Sequence, residues 1–418
     1  MFRSRPRAVP CGPAAAVRSA MVAVAALASV AAMSGPAGAA PAPAASADPV
    51  PTLVVATDGD DGDPGTLERP LRTVQRAVDL AGPGDVIAIR GGRYPLTTDN
   101  ITITTSGTAD APITLTNYED ERVIIDGEEL PASHTPVGGS IPRDQRGAIH
   151  QEAAHWRVSG LEIVNGPYGI YCNNCNDNVF ADLVTRDNYE SGFQLQGQSA
   201  RNLILNLDSY GNRDPRKNGE SADGLAIKEG AGAGNVVRGA RLWNNVDDGF
   251  DAWEFASPIT IEDSVAYGNG FNRWNLPDFS GDGNGFKLGG GDPAPAVAHV
   301  VRNTMAFGNA ADGYTDNGNA GAMTVSRSTS YDNASEGFQF SRSATVPTRN
   351  LSVGNATAVR LGSAAGSGNS WDISNSWGDA DLLSTDPGVL TGPRTATGDI
   401  AESDFLRPRN HSDLGARL

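Results

Sequence analysis

The sequence predicts an all-β chain wound as a parallel β-helix, a solenoid, with a helical cap at its N-terminal end. Three observations predict it. A Gly followed by a large apolar residue returns as Gly169-Ile170, Gly192-Phe193, Gly224-Leu225, Gly249-Phe250, Gly285-Phe286, Gly313-Tyr314 and Gly337-Phe338, at intervals of 23 to 36 residues. An Asn returns with it at positions 188, 212, 245, 269, 309, 333 and 355, as in Tyr210-Gly211-Asn212 and Phe307-Gly308-Asn309. After each Gly, apolar residues recur at every second position: Phe193/Leu195, Leu225/Ile227, Phe250/Ala252, Phe286/Leu288 and Phe338/Phe340. Periods of this length belong to stacked coils that bury their apolar faces against one another. Period-two alternation makes the coils strands rather than helices. Equivalent Asn side chains in successive coils would then form a hydrogen-bonded ladder. A β-propeller is the rival, but its blades need tight antiparallel hairpins and a more regular period.

The elements follow in order. Arg3, Arg5, Arg7 and Arg18 precede an apolar run from Ala20 to Met33 and the small-residue sequence Ala37-Gly38-Ala39. That order reads as a signal peptide over 1–39, so the mature protein is expected outside the cell. The run is short for a membrane span, and no later stretch approaches one. Residues 40–50, rich in Ala and Pro, read as a flexible linker. Residues 51–145 are expected to form the cap and first coils, with Leu71, Val74, Val78 and Ala81 at helical spacing and Gly82-Pro83-Gly84-Asp85 ending the helix. Residues 146–360 are the central coils, and 361–418 are C-terminal coils or a tail. Asp58–Asp63 lacks the spaced Glu of an EF-hand and reads as a solvated turn. Cys11 would leave with the leader. Cys172 and Cys175 have no second Cys pair with which to build a zinc site, so an exported protein would join them as a local disulfide.

Without residues 1–39 the chain holds 28 basic against 49 acidic groups, a formal charge of −21. Such a surface repels phosphates, which excludes a nucleic-acid binder.

Registering the coils on their Gly places the candidate chemistry. One position before the Gly stand Ser191, Asp223, Asp248, Asn284, Asp312 and Glu336, with Asp247 one further back. Two positions after it stand Ala226, Asp251 and Lys287. Asp223, Asp247, Asp248 and Asp251 therefore converge on neighbouring coils, where they would repel without a cation. Several oxygen donors in irregular array suit Ca²⁺; the alternative is a solvated acidic turn. Lys287 shares the phase of Asp251. Only Lys217, Lys228 and Lys287 are Lys, against 29 Arg. A Lys can surrender its proton when partly desolvated near a cation, whereas Arg effectively cannot; a plain ion pair with Asp251 is the other reading.

At this point a resemblance becomes specific. Asp223-Gly224-Leu225-Ala226-Ile227-Lys228, Asn245-Val246-Asp247-Asp248-Gly249-Phe250-Asp251-Ala252-Trp253 and Gly281-Asp282-Gly283-Asn284-Gly285-Phe286-Lys287-Leu288-Gly289-Gly290 together resemble the family nine polysaccharide lyases. The likeness covers roughly residues 150–355. It implies a right-handed parallel β-helix and a calcium-dependent pectate lyase. It also implies Ca²⁺ ligands at Asp223, Asp247, Asp248 and Asp251, and a catalytic base at Lys287. The implied reaction is β-elimination: the base takes the uronate C5 proton, and the cation offsets the negative charge that makes this proton only weakly acidic. The cation would also let a protein of this charge hold a polyanion.

Lys228 and Arg302 are expected partners for substrate carboxylates, and Trp253 a sugar platform. The enlarged turn Phe271–Asp282, with Arg273, either shapes sugar subsites or merely packs. The substrate is expected to be an acidic polysaccharide of polygalacturonate type and the protein to act as a monomer. Three rivals stand. A β-helix glycosidase could use Asp247/Asp248 as paired carboxylates, but its Gly-His-Gly element is missing. A non-catalytic polysaccharide-binding β-helix and a lyase for another polyuronate are the others.

Overall fold

The computed structural model describes residues 50–374 and 376–418; the expected leader over 1–39, and the linker over 40–50 except for Val50, lie outside the described residues. The described strands pair in parallel into three long sheets of 11, 10 and 10 strands, each coil contributing one strand to each sheet. Parallel pairing throughout makes this a β-helix and removes the propeller. One full coil runs Asn235–Arg238 in the first sheet, Arg241–Trp243 in the second and Phe250–Asp251 in the third, then returns at Ile259–Glu262. The third sheet carries the chemistry discussed below.

Local chemistry explains the corners. Between the first and second sheets the central coils bend through a residue in the left-handed region, as at Asp182, Asn206, Gly239, Asp263 and Asn303, with φ of 51–68°. Asn, Asp and Gly tolerate this conformation best. Between the second and third sheets the recurring Asn stack as expected. Each Asn Oδ1 accepts from the Nδ2 of the Asn one coil earlier, in the unbroken series Asn188, Asn212, Asn245, Asn269, Asn309, Asn333 and Asn355, at 2.8–3.0 Å. A second ladder, Asn178–Asn202–Asn235, runs beside the first sheet.

The Gly that follows each ladder Asn is obligatory for close approach. A Cβ at Gly249 would lie 2.6 Å from the Gly285 carbonyl oxygen and 2.9 Å from Asn269 Nδ2; one at Gly285 would meet the Gly313 carbonyl at 2.6 Å. The rung spacing leaves no room for a methyl group there.

The core fills the tube. Phe250, Phe286, Tyr314 and Phe338 are buried in one internal column, with the Phe286–Tyr314 and Tyr314–Phe338 rings 5.1 and 4.7 Å apart. Because each ladder Asn both donates and accepts in a dry setting, removing one strands its neighbours. Asn309→Ala is expected to cost about 3 kcal/mol, read as a lower midpoint of chemical unfolding.

The helical cap is present but shorter than expected, at Val74–Leu80 with Thr73 as its N-cap. Leu71 is not helical; it bridges to Val55 and seals the first rung. Cys172 and Cys175 are disulfide-bonded. Past the last rung, Thr357–Leu361, Trp371 closes the end of the core against Phe338, and the following tail runs along the outside of the second sheet, where Leu390, Phe405 and Leu406 cover Val265, Met305 and Leu351. No helix among the described residues is long and apolar enough to cross a membrane.

Candidate active site

The ladder delivers the acids. Asp247 and Asp248 follow ladder residue Asn245 by two and three positions, and Asp223 holds the same place one coil earlier. Strand register then aligns Gln194, Ala226, Asp251 and Lys287 in one outward-facing column of the third sheet. Asp223, Asp247, Asp248, Asp251 and Lys287 are all buried nonetheless, because enlarged turns wall the column. Asn218 and Lys217 of one turn accept from the backbone N–H and the hydroxyl of Ser280 in another, through their carbonyls, at 3.0 and 3.3 Å.

Each carboxylate has a defined place. Asp248 Oδ1 accepts from Asn284 N at 2.7 Å and Nδ2 at 2.9 Å, and its Oδ2 lies 3.1 Å from Lys287 Nζ without hydrogen-bond alignment. Asp247 Oδ1 accepts from Asp282 N at 2.6 Å. Asp251 Oδ1 accepts from Trp253 N at 3.0 Å. Lys228 Nζ donates to Asp223 Oδ2 at 2.8 Å and Asp251 Oδ2 at 3.2 Å. Lys287 Nζ donates to Asp282 Oδ2 at 2.7 Å. Oxygen atoms of Asp223, Asp248 and Asp251 lie within 4.8 Å of one another, as do those of Asp247, Asp248 and Asp282.

Electrostatics mark this cluster as incomplete. Burial, reinforced by neighbouring carboxylates, pushes Asp223 up to about 6 and Asp248 up to about 7, while Asp247 is raised well above the usual carboxylate range. Burial alone would lower Lys287, but Asp248, Asp251, Asp247 and Asp282 hold it above its ordinary value. The lowering expected from the sequence applies to a Lys beside a bound cation. Asp223 Oδ1 and Asp248 Oδ2 are buried without a hydrogen-bond partner. Unsatisfied buried oxygens of ionisable groups are costly. A hard divalent cation is the partner that such a donor set fits.

The structure therefore gathers Asp223, Asp247, Asp248, Asp251 and Lys287, and sets Trp253 beside them with its ring 5.4 Å from Lys287 Nζ. Lys287 does not pair with Asp251 as the plain reading had it; its partners are Asp248 and Asp282. The other expected substrate partners are engaged within the protein. Lys228 is buried and clamped between Asp223 and Asp251. Arg302 sits in the first sheet, paired with Glu262, on a different face from the acids. Arg273 is held away from the cluster, donating to Asn244 Oδ1 at 2.9 Å with its guanidinium over Phe271. Asp282, which accepts from Lys287, is the neighbour that registering the coils does not bring to the cluster. The signal was its position, five residues before Lys287 at the end of an enlarged turn.

Comparison with known proteins agrees with this geometry. Residues 53–355 match the family described as "Pel9A-like, right handed beta helix region". The chain is 48% identical over 385 residues to pectate lyase PEL9 of Emericella nidulans, covering 87% of this chain and 94% of that protein. It is 32% identical over 374 residues to pectate lyase L of Dickeya dadantii, covering 86% and 84%. The crystal structure of pectate lyase Pel9A superposes with a TM-score of 0.72 at 29% identity, over 88% of this chain and 92% of that one. The β-helix is thus right-handed, and the chain belongs to the Pel9A-like family, the family nine polysaccharide lyases, as a pectate lyase-like enzyme.

Proposed function

We propose that the chain is an exported lyase that cleaves polygalacturonate by β-elimination, with Ca²⁺ held by Asp223, Asp247, Asp248 and Asp251 and with Lys287 as the base. The observation that carries this reading is the convergence of buried carboxylates, with Asp223 Oδ1 left without a hydrogen-bond partner and Asp248 Oδ2 facing the Lys287 ammonium at 3.1 Å. Relatives named pectate lyases along nearly their whole length support the substrate. The charged, apolar, small-residue order of residues 1–39 supports export.

Bound Ca²⁺ supplies positive charge that offsets the protein and substrate carboxylates together and stabilises the charge developing at C5. The protein's own groups do the rest. Asp247 and Asp248 are oriented before substrate arrives, by Asp282 N and by Asn284. Asp282 is half-exposed and can swing away from Lys287. With the carboxylates compensated, Lys287 loses the influence that keeps it protonated. Its neutral Nζ then takes the C5 proton, the C5–H electron pair becomes the C4=C5 double bond, and the C4–O4 bond breaks. The departing O4 gains a proton from water, leaving one new reducing end and one unsaturated end. Trp253 offers its exposed face to a sugar ring.

The test is an assay on polygalacturonate, alginate and a glycosaminoglycan, with Ca²⁺ and with chelator. Release from polygalacturonate of a product absorbing near the ultraviolet edge, abolished by chelator, is the expected result. New reducing ends without that absorbance would overturn the elimination, and cleavage of another polymer alone would overturn the substrate.

A further inference from the structure

A cavity of about 140 Å³, lined by Gln194 and Lys228, opens on the N-terminal side of the acid cluster. Lys228 joins the two, since it lines the cavity and also bonds Asp223 and Asp251.

Its walls are basic, and two bases lack a counter-ion: exposed Lys217, whose Nζ donates to Ser221 Oγ at 3.0 Å, and Arg146. Arg216 is neutralised by buried Glu190, and Lys228 by the two aspartates. Arg146 also lines the cavity, is only half-exposed, and forms no ion pair among the described residues. Its guanidinium is held by the ring of Tyr171, whose hydroxyl accepts from Nη1 at 3.2 Å. Glu229 is the one carboxylate on the wall, and its Oε2 accepts from Gln196.

Gln194 is the second observation, independent of the charge. Its side chain is 3% exposed and lines the cavity. Its Nε2 donates to Gln196 Oε1 at 2.9 Å, and the same oxygen accepts from the Tyr171 hydroxyl at 2.5 Å. That network fixes the amide orientation and leaves Gln194 Oε1 buried without a partner. A guanidinium without an anion and an acceptor without a donor, side by side, match a sugar acid: Arg binds carboxylates through paired N–H groups, and an amide oxygen accepts from a hydroxyl.

We propose that this cavity is a uronate-binding subsite, displaced along the third sheet from the reacting residue, with Arg146 pairing with the uronate carboxylate and Gln194 Oε1 accepting from a sugar hydroxyl. This rests on the polyuronate reading above and extends it by carrying the bound chain from Lys287 over the N-terminal coils. It also assigns substrate recognition to Arg146 in place of Lys228 and Arg302.

The test is calorimetric binding of a hexagalacturonate to Ca²⁺-loaded protein in a Lys287→Ala background, where no turnover intervenes. Arg146→Gln is expected to weaken binding tenfold or more, with Ca²⁺ affinity and melting temperature unchanged. Arg146→Lys should recover part of the loss, because it restores the charge without the fork. If Arg146→Gln lowers the melting temperature, Gln194→Leu decides, with an expected loss of severalfold. Unchanged hexagalacturonate affinity in a folded variant would overturn the subsite. Absence of an ultraviolet-absorbing product from the unmodified enzyme would instead overturn the lyase reading and leave this binding comparison standing.

Discussion

Lys287→Ala is expected to lower turnover on polygalacturonate by roughly 10²–10⁴-fold while Ca²⁺ binding is retained. Two features set these expectations. Lys287 Nζ lies 3.1 Å from Asp248 Oδ2, so a positive charge sits against the carboxylate assigned to the metal. Deleting it removes a competitor for that oxygen, and Ca²⁺ affinity should stay level or rise. Turnover falls because the wall has no substitute base: Lys228 is already shared between Asp223 and Asp251. Lys287→Arg should be as inactive as Lys287→Ala, since a guanidinium keeps its proton. Steady-state rates with calorimetric Ca²⁺ titration separate these outcomes. A non-catalytic binding protein would bind polyuronate equally with and without Lys287.

Chelated protein is expected to lose thermal stability as pH rises from about 4 to about 8, and added Ca²⁺ to restore it most at the upper end. Asp248 is raised to about 7 and Asp223 to about 6, chiefly by burial. Both bind protons in the folded protein over a range where the unfolded chain has released them. Their stabilising contribution is therefore full below the unfolded value, near 3.8, and disappears as pH passes through 6 to 7. Buried Glu190, raised to about 7, and Asp312, raised to about 6, act in the same sense. Asp248→Asn isolates the site, because an amide does not titrate: its melting temperature in chelator should fall less steeply over this range. Ca²⁺ binds the ionised carboxylates, so its stabilising effect grows with pH. Melting curves in chelator and in Ca²⁺, for both proteins, measure it. An equal pH slope in the two proteins would show that Asp248 keeps its proton at none of these pH values.

The legible parts of the fold were those that repeat. Gly and Asn recur because rung spacing admits no Cβ at Gly249 and because each ladder Asn needs another above it. Registering on those residues was enough to bring Asp223, Asp247, Asp248, Asp251 and Lys287 to one wall. Registration fails where the chain leaves the repeat. Asp282 lies in an enlarged turn whose length sets no phase, so its contact with Lys287 could not be counted out. Arg302 illustrates the opposite error: fifteen residues beyond Lys287 the coil has already moved to another face, where Glu262 takes the charge. Lys228 falls in the expected neighbourhood, and two aspartates on adjoining coils hold its ammonium, a contact that spacing alone does not give. The tail was hidden in plain view. An aromatic residue two positions before the ladder Asn points out of the second sheet, stacking as Tyr210, Trp243, Tyr267 and Phe307. Phe405 of the tail closes that column. An exposed aromatic column requires a cover, and the final fifty residues provide one.

The central claim is that the carboxylates around Lys287 form a metal cradle. Anomalous diffraction from a crystal grown with Ca²⁺ tests it most directly. A peak whose nearest protein atoms are carboxylate oxygens of Asp223, Asp247, Asp248 and Asp251 is the predicted result. A cluster that stays metal-free at saturating Ca²⁺, or a peak bound elsewhere on the chain, would contradict it.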